Sequence, residues 1–510
     1  MLARIATFAI DGIDPRHVWV EVDIRSGLPA FTIVGLGDAA VRESRDRVRS
    51  AIANSGFDFP QTRITANLAP AFLRKVGPGF DAALALGVLA ASGQVPADAL
   101  DAYAVFGELS LSGDLRDSPG ALAVAEGARR AGLERLIVPR ERAREAALVG
   151  GLEIAGVPSL RVAADVLTGA APPPLPPLPA SQSTAQAAAP DEPDLADVRG
   201  HAAPVLALEI AAAGGHNLLF EGAPGTGKTM LARRIPSILP AMSRAEAIEV
   251  TRIHSIAGLH ASGLVHARPF RAPHHTISPA GLVGGGAPPR PGEATLAHHG
   301  VLFLDELAEF QRSSLDALRQ PLEDGCVTIV RGQRALVFPT RFMLVAATNP
   351  CPCGFAGAGD RCRCGEADLR RHSRRLSGPL LDRMDLLINV ERPTEPELRA
   401  RPETSSAHAR DRVAHARERQ RFRLSGCGAC CNGEMDAGLV RRHVRLEEAA
   451  EHALAQAYAV GALSARGRHR VLRVAQTIAD LAGHDRVTRA DLLTALSLRQ
   501  RGDAGTTLAA

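Results

Sequence analysis

Lysine is almost missing from this chain. Of 59 basic residues only Lys75 and Lys228 are lysine, a bias toward arginine strong enough that chance is a poor account of the two that remain. Cysteine is absent from the first 325 residues, and all eight crowd into 326–431. A secreted disulfide framework is not spread that way, so the thiols are expected to be reduced or metal-bound. No run approaches the roughly eighteen apolar residues of a membrane span. The opening MLARIATFAIDGIDPRH has no basic segment followed by a long apolar one, and a cytoplasmic protein without a membrane partner is the expectation. Charge of one sign is lacking too. A net charge of +4 demands no polyanionic partner, although local patches can supply a contact.

What is present is enough chain, 510 residues, for two or three hydrophobic cores. The segment APPPLPPLPASQSTAQAAAPDEPD is rich in Pro, Ala, Ser and Gln and cannot build a core. It places a linker at 169–194, after a first domain at 1–168 that alternates strand-like HVWVEVDI and AFTIVGL with helical ALAVAEGARRAG. Beyond it, HNLLF, VLFLDE and FMLVAATN read as short buried strands interleaved with helices, which predicts a parallel sheet covered on both faces over 195–390. Over 391–500 the strand signals stop. LVRRHVRLEEAAEHALAQAYA, RHRVLRVAQTIADLAG and TRADLLTALSLR read as amphipathic helices, and 501–510 as a tail.

Gly222, Ala223, Pro224, Gly225, Thr226, Gly227, Lys228 and Thr229 form GAPGTGKT, the phosphate-loop pattern in its required context after a strand and before a helix. Its glycines let backbone amides approach phosphate and Lys228 reaches the outer phosphates of ATP. Thr229 and Asp305 are the expected Mg²⁺ ligands. Asp305 and Glu306 end an apolar strand, where paired carboxylates are costly without a task. Glu306 is expected to polarise the attacking water, with Asn349 at the next strand tip helping to position it. ATP hydrolysis is therefore the expected chemistry.

These motifs, with SGPLLDRMD and the helical C-terminus, resemble an AAA+ ATPase of the magnesium-chelatase and MCM-helicase branch. More closely, DVRG, LEIAAAGGHNLLFEGAPGTGKTMLARRIPSILP, FRAPHHT, PGEATLAHHGVLFLDELAEF, LRQPLEDG, NPCPCG and RLSGPLLDRMDL resemble the YifB/ComM family of magnesium-chelatase-like proteins. The resemblance runs over nearly the whole chain. It implies a homo-oligomeric ring, most simply a hexamer, with a helical lid. Arg383 matches the arginine finger that enters a neighbouring subunit's site, and Arg466 matches the lid's sensor arginine, with Arg468 and Arg470 close by.

In the first domain, RKVGPGFDAALALG and GELSLSGDLRDSPGAL resemble pieces of the Lon-type protease domain, a ribosomal S5 domain 2-like α+β fold. Gly79 stands where that family has its nucleophilic Ser, and Leu122 where it has its Lys. Neither can perform acyl transfer, and Lys75 does not replace the base, so a Lon-like domain without peptidase activity is expected.

The stretch between Lys228 and Glu306 is far longer than one helix and one strand require. It includes TISPAGLVGGGAPPRPGE, which resembles the helix-2 insert of this AAA+ branch. DGCVTIVRGQRALVFP reads as a β-hairpin with RGQR at its tip, matching the pre-sensor hairpin. Arg290, Arg331 and Arg334 are then placed to meet a DNA backbone independently of sequence, with a solvated hairpin tip as the competing reading. The run 399–423, with eight Arg against three acidic residues, reads as a solvated helix face. The histidine pairs 274, 275 and 298, 299 lack metal-site spacing, and structural or pore-loop roles are expected. Two functions stay open: a DNA translocase or branch-migration helicase in recombination or natural transformation, and a protein-remodelling motor of the metal-chelatase kind. The Lon-like domain favours the first.

NPCPCGFAGAGDRCRCG places Cys351, Cys353, Cys362 and Cys364 in two CxC pairs directly after Asn349. Four thiolates suit a structural, tetrahedral Zn²⁺. A reduced loop without metal is the alternative, and Cys427, Cys430 and Cys431 are possible competing ligands.

Overall fold

The computed structural model describes residues 2–173, 175, 193–259, 263–286, 289–331, 334–356, 361–376, 378–402, 404–461 and 463–499. The linker expected at 169–194 lies mostly outside them, and the tail at 501–510 entirely so.

The N-terminal part is built on β1 (Leu2–Asp11), β2 (Asp14–Arg25), β3 (Ala30–Val34), β4 (Arg63–Ala69), β5 (Tyr103–Val105), β6 (Arg135–Pro139) and β7 (Glu153–Val157). They form one mixed sheet in the order β3–β4–β2–β1–β5–β6–β7. The long hairpin β1–β2 is antiparallel and the β1–β5, β5–β6 and β6–β7 pairs are parallel. Alternate residues of β1 enter different cores, as the two-residue period of a strand requires. Ile5 and Ala9 join the core under α1 (Ala39–Asn54) and α2 (Asp81–Ala91), while Ala6 and Phe8 join the one under α3 (Ala121–Arg130) and α4 (Ala143–Ala147). Helices therefore cover both faces, and every residue of α2 is buried.

Past the linker, α6 (Ala202–Gly214; α5 is Leu160–Leu167) leads into β8 (Leu218–Glu221), α7 (Lys228–Ala232) and α8 (Arg244–Ile256). The strands β9 (Phe270–Arg271), β10 (Val301–Leu304), β13 (Met343–Thr348) and β14 (Leu386–Asn389) complete a five-stranded parallel sheet in the order β9–β10–β13–β8–β14. β11 (Cys326–Arg331) and β12 (Arg334–Pro339) form a separate antiparallel hairpin, as the sequence predicts. The three apolar runs thus become neighbouring parallel strands whose C-terminal ends lie side by side, and that end of an open α/β sheet is where ligands bind.

The C-terminal helices are α10 (Ser406–Arg423), α11 (Ala437–His443), α12 (Glu448–Ala459), α13 (Ala465–Ala482) and α14 (Arg489–Ser497), and α9 (Glu366–Arg375) precedes β14. One core runs from the sheet into this bundle, joining Leu218, Phe220 and Ile388 to Val413, Val471 and Ala475. Two expectations need correction. The basic run is not simply a solvated face: on α10, Arg412 pairs with Glu209, Arg410 donates to the Ser237 carbonyl at 2.8 Å, and Arg423 donates to Asp480 at 2.8 Å. Its arginines clamp the bundle to α6 and α13, because their stems lie along apolar surface while the heads find acceptors. The run LVRRHVRLEEAAEHALAQAYA, read as one helix, breaks between α11 and α12. There Val487 N–H donates to Arg445 O at 2.8 Å and Glu447 N–H to Val487 O at 3.0 Å, so a tertiary β-bridge replaces helical bonds. No described helix is long and apolar enough to cross a membrane.

Candidate functional site

The phosphate loop turns between β8 and α7. Gly222 has no room for a side chain, since a Cβ there would meet the Val390 carbonyl at 2.3 Å, and Gly225 and Gly227 take φ of +76° and +88°. These conformations are open to glycine and strained for other residues. Lys228 Nζ donates to Gly222 O at 2.7 Å, Ala223 O at 2.8 Å and Asn349 Oδ1 at 3.2 Å. All three acceptors are neutral. The side chain is buried, and burial lowers its pKa against the raising fields of Asp305 and Glu306. A buried ammonium without a carboxylate in contact is costly, and the cradle of loop amides beside it suits the phosphates of a nucleotide.

Thr229 Oγ1 donates to Asp305 Oδ2 at 2.7 Å. A hydroxyl and a carboxylate at that separation are hard oxygen donors of the kind Mg²⁺ takes, and they would hold it against the bound phosphates. Asp305 Oδ1 accepts from the Glu306 N–H at 3.0 Å. Glu306 itself sits at φ +52°, a left-handed conformation costing about 1–2 kcal/mol in a residue with a Cβ. Its carboxylate, 57% exposed, lies 3.4 Å from His275 Nδ1. Asn349 follows β13, with its carbonyl 2.8 Å from His372 Nε2. The structure therefore brings Lys228, Thr229, Asp305 and Asn349 together and leaves Glu306 reaching toward His275.

The other sequence-selected arginines are placed elsewhere. Arg383 is ion-paired with Glu323 on the helix Arg319–Asp324. Arg466 is exposed in the first turn of α13, Arg468 is exposed two residues on, and Arg470 lies 3.8 Å from Asp385. Arg290 is exposed on a two-residue ladder opposite Gly285. Arg331 and Arg334 form the last backbone pair of the β11–β12 hairpin, and their side chains, with residues 332 and 333, fall outside the described residues.

Cys351, Cys353, Cys362 and Cys364 converge, with all four sulfurs within 4.8 Å of one another. The Cys351–Cys353, Cys353–Cys362 and Cys351–Cys362 separations are 3.3, 3.7 and 3.9 Å. A tetrahedral site with Zn–S bonds of about 2.3 Å has edges of about 3.8 Å, so the donor set fits that ion. Hydrogen bonds from the Arg363 and Phe355 backbone lower the Cys353 thiol to about 6. Cys364 accepts a favourable bond from the Cys353 backbone, yet its side-chain bond to Cys353 and burial push it up to about 12. The turn also touches the phosphate loop: Gly354, at φ +85°, packs so closely that a Cβ there would stand 2.5 Å from Pro224 Cδ.

Three family models match the chain, described as subunit ChlI of Mg-chelatase over residues 20–142, magnesium chelatase subunit ChlI over 194–398, and its C-terminal part over 403–499. The competence protein ComM of Haemophilus influenzae is 42% identical over 504 residues, covering 98% of this chain and 97% of that one. YifB of Escherichia coli is 42% identical over 503 residues, with the same coverage. An uncharacterized protein of Mycobacterium tuberculosis is 44% identical over 505 residues, 98% of this chain and 99% of its own. This chain belongs to the YifB/ComM family of magnesium-chelatase-like proteins.

In this YifB/ComM-family chain the sequence reading missed a polar hub behind the phosphate loop. His216 Nδ1 lies 3.3 Å from Asp385 Oδ2 and its Nε2 2.8 Å from Thr477 Oγ1, while Arg473 donates to Asp385 at 3.0 Å. Asn217 donates to the Arg383 carbonyl at 3.0 Å and accepts from Leu344 N–H at 2.8 Å. Burial lowers the His216 pKa. Burial pushes the Asp385 carboxyl up, but Arg473, His216 and Arg470 together hold it well below the ordinary carboxylate range. The hub ties β8, the Arg383 segment and α13 into one network. His216 and Asp385 stand inside GGHNLLF and LLDRMD, so the signal was two polar residues flanking apolar strands. His275 of FRAPHHT is the other addition, through its contact with Glu306.

Proposed function

We propose that this YifB/ComM-family chain is an ATP-hydrolysing motor of the AAA+ class that works as a ring, most simply a hexamer, and moves along DNA. The observation that carries the ATPase reading is Lys228, a buried ammonium whose acceptors among the described residues are all neutral, at the mouth of a glycine cradle. Loop amides and Lys228 bind the phosphates, and Thr229 and Asp305 hold Mg²⁺, which when bound neutralises phosphate charge. Glu306 accepts the proton of the attacking water and Asn349 orients it. Arg383 serves the site of a neighbouring subunit and Arg466 reads the nucleotide from the lid. The N-terminal domain is a Lon-like fold without peptidase chemistry. A Cβ at Gly79 would meet the Phe106 ring at 2.5 Å, so a serine there has no space, and Leu122 is buried apolar core.

The DNA reading is supported by the β11–β12 hairpin with Arg331 and Arg334 at its end, by exposed Arg290, and by a relative bearing the name of a competence protein. Forked-DNA unwinding and DNA-stimulated phosphate release test it, with Lys228→Ala as control. The wild type is expected to show both activities, and the variant to fall at least about a hundredfold in turnover. If neither appears at low salt while basal hydrolysis persists, the protein-remodelling reading takes its place.

The four cysteines hold a structural Zn²⁺ that braces the loop between Asn349 and the Arg383 segment. Metal analysis is expected to find about one zinc per chain, lost in Cys353→Ser and in Cys362→Ser. Equal zinc in wild type and variants would remove this assignment.

A further inference from the structure

The C-terminal bundle holds a second concentration of positive charge that the nucleotide site does not use. A cavity of about 440 Å³ opens where the break between α11 and α12 meets α13 and the turn before α14. Arg441, Arg445, Arg468 and Arg486 line it, with Glu451 the one carboxylate among its lining residues. Val440 and Leu472 form a buried apolar floor.

The four guanidiniums have neither an ion pair nor a side-chain hydrogen bond among the described residues. That sets them apart from other arginines of the same bundle: Arg419 pairs with Asp485, Arg423 with Asp480 and Arg473 with Asp385. His469 also lines the cavity, and its buried Nδ1 has no hydrogen-bond partner among the described residues. Burial, then Arg468 and Arg441, lower its pKa, as expected where positive charges gather without an anion.

The backbone that presents these groups is specific. The β-bridge between Leu446 and Val487 fixes Arg445 and Arg486 beside its two strands, while Arg441 and Arg468 come from helices on either side. Like charges collected around one cavity repel, and an oxyanion relieves the repulsion. Guanidinium forks match phosphate in particular. The volume exceeds what one phosphate group fills, and the arginines come from three separate stretches of chain. No Phe, Tyr or Trp is among its described lining residues, so recognition runs mainly through phosphate and sugar.

We propose that this pocket is a phosphate-binding site that holds the backbone of a nucleic-acid strand on the C-terminal bundle, away from the β11–β12 hairpin and independently of base sequence. It rests on the DNA reading above and adds a second contact to it.

The test uses the full-length protein with fluorescent oligo(dT) and anisotropy between about 50 and about 200 mM salt. Wild type is compared with Arg441→Gln/Arg445→Gln/Arg486→Gln and with Arg331→Gln/Arg334→Gln, and inorganic tripolyphosphate is titrated separately. The triple variant is expected to bind oligo(dT) roughly tenfold more weakly, with a log–log salt slope shallower by about 2 for three lost contacts. Its thermal midpoint and basal ATPase should match wild type, since the three side chains are exposed and unpaired. The hairpin variant should retain this component of binding. If the triple variant binds oligo(dT) as wild type does while the hairpin variant does not, the pocket proposal falls and the DNA reading stands. Tripolyphosphate binding lost in the triple variant with oligo(dT) binding unchanged would reassign the pocket to free polyphosphate and overturn the proposal. If wild type binds no DNA, both fall.

Discussion

Gly354 carries more of the nucleotide site than its lack of chemistry implies. At φ +85°, with its α-carbon against Pro224, it lets the cysteine turn and the phosphate loop share one surface. Gly354→Ala is expected to cost about 1–3 kcal/mol in strain and to raise the KM for ATP more than it lowers kcat, measured by steady-state phosphate release and urea denaturation. An unchanged KM would mean that the two loops move independently. At this scale the sequence was most legible where chemistry forces a rare choice. Lys228 stands out because arginine fills nearly every other basic position, and Asp305 because a carboxylate ends an apolar strand. Glu306 shows the limit: its identity could be read, but its left-handed backbone and its contact with His275, on the loop after β9, could not.

Among elements, the decisive link is the hub that joins β8 to α13 through His216 and Asp385. Because burial lowers the folded pKa of His216, the unfolded chain takes up that proton first. The unfolded state then binds more protons, so stability falls as pH drops below the ordinary histidine value of about 6.5. Asp385 stays ionised through this window, its carboxyl held low despite burial by Arg473 and His216, and its own contribution is lost only in stronger acid. Thermal midpoints are expected to decline between about pH 7 and about pH 5. His216→Gln should be less stable at the upper pH by about 1–3 kcal/mol and should decline less steeply; an equal slope would remove His216 as a source. The strands around this hub were legible from short apolar runs. The α11–α12 break was not, since Val444 to Glu447 keep a helical pattern and only the bridge to Val487 decides against it. The clamping role of α10 was hidden for the same reason: Arg412 looks solvated until Glu209 is beside it.

Across the whole molecule, the N-terminal part touches the parallel-sheet module directly. Ser255 Oγ accepts from Gly120 N–H at 2.9 Å and donates to Glu145, which also pairs with Arg142 at 2.9 Å. Arg252 reaches Glu126 at 3.0 Å. Ile13, from the β1–β2 turn, packs with Ile253, Leu296 and Phe338 in a small buried cluster. None of the contacts between the two parts announces itself in sequence, because each joins residues more than a hundred positions apart. Phe338→Ala is expected to cost about 3–5 kcal/mol and to split a single denaturation transition into two, followed by fluorescence and circular dichroism. One transition at lower denaturant would mean that the polar contacts suffice to keep the two parts cooperative.

Phe338 belongs to β12, and Ile329 and Leu336 pack beside it, so the hairpin is anchored along most of its paired length. Such an arrangement makes the hairpin a stiff extension of the interface between the two parts. Under the DNA contact proposed above, a force on the hairpin would pass through this cluster to Ile13 and the N-terminal part.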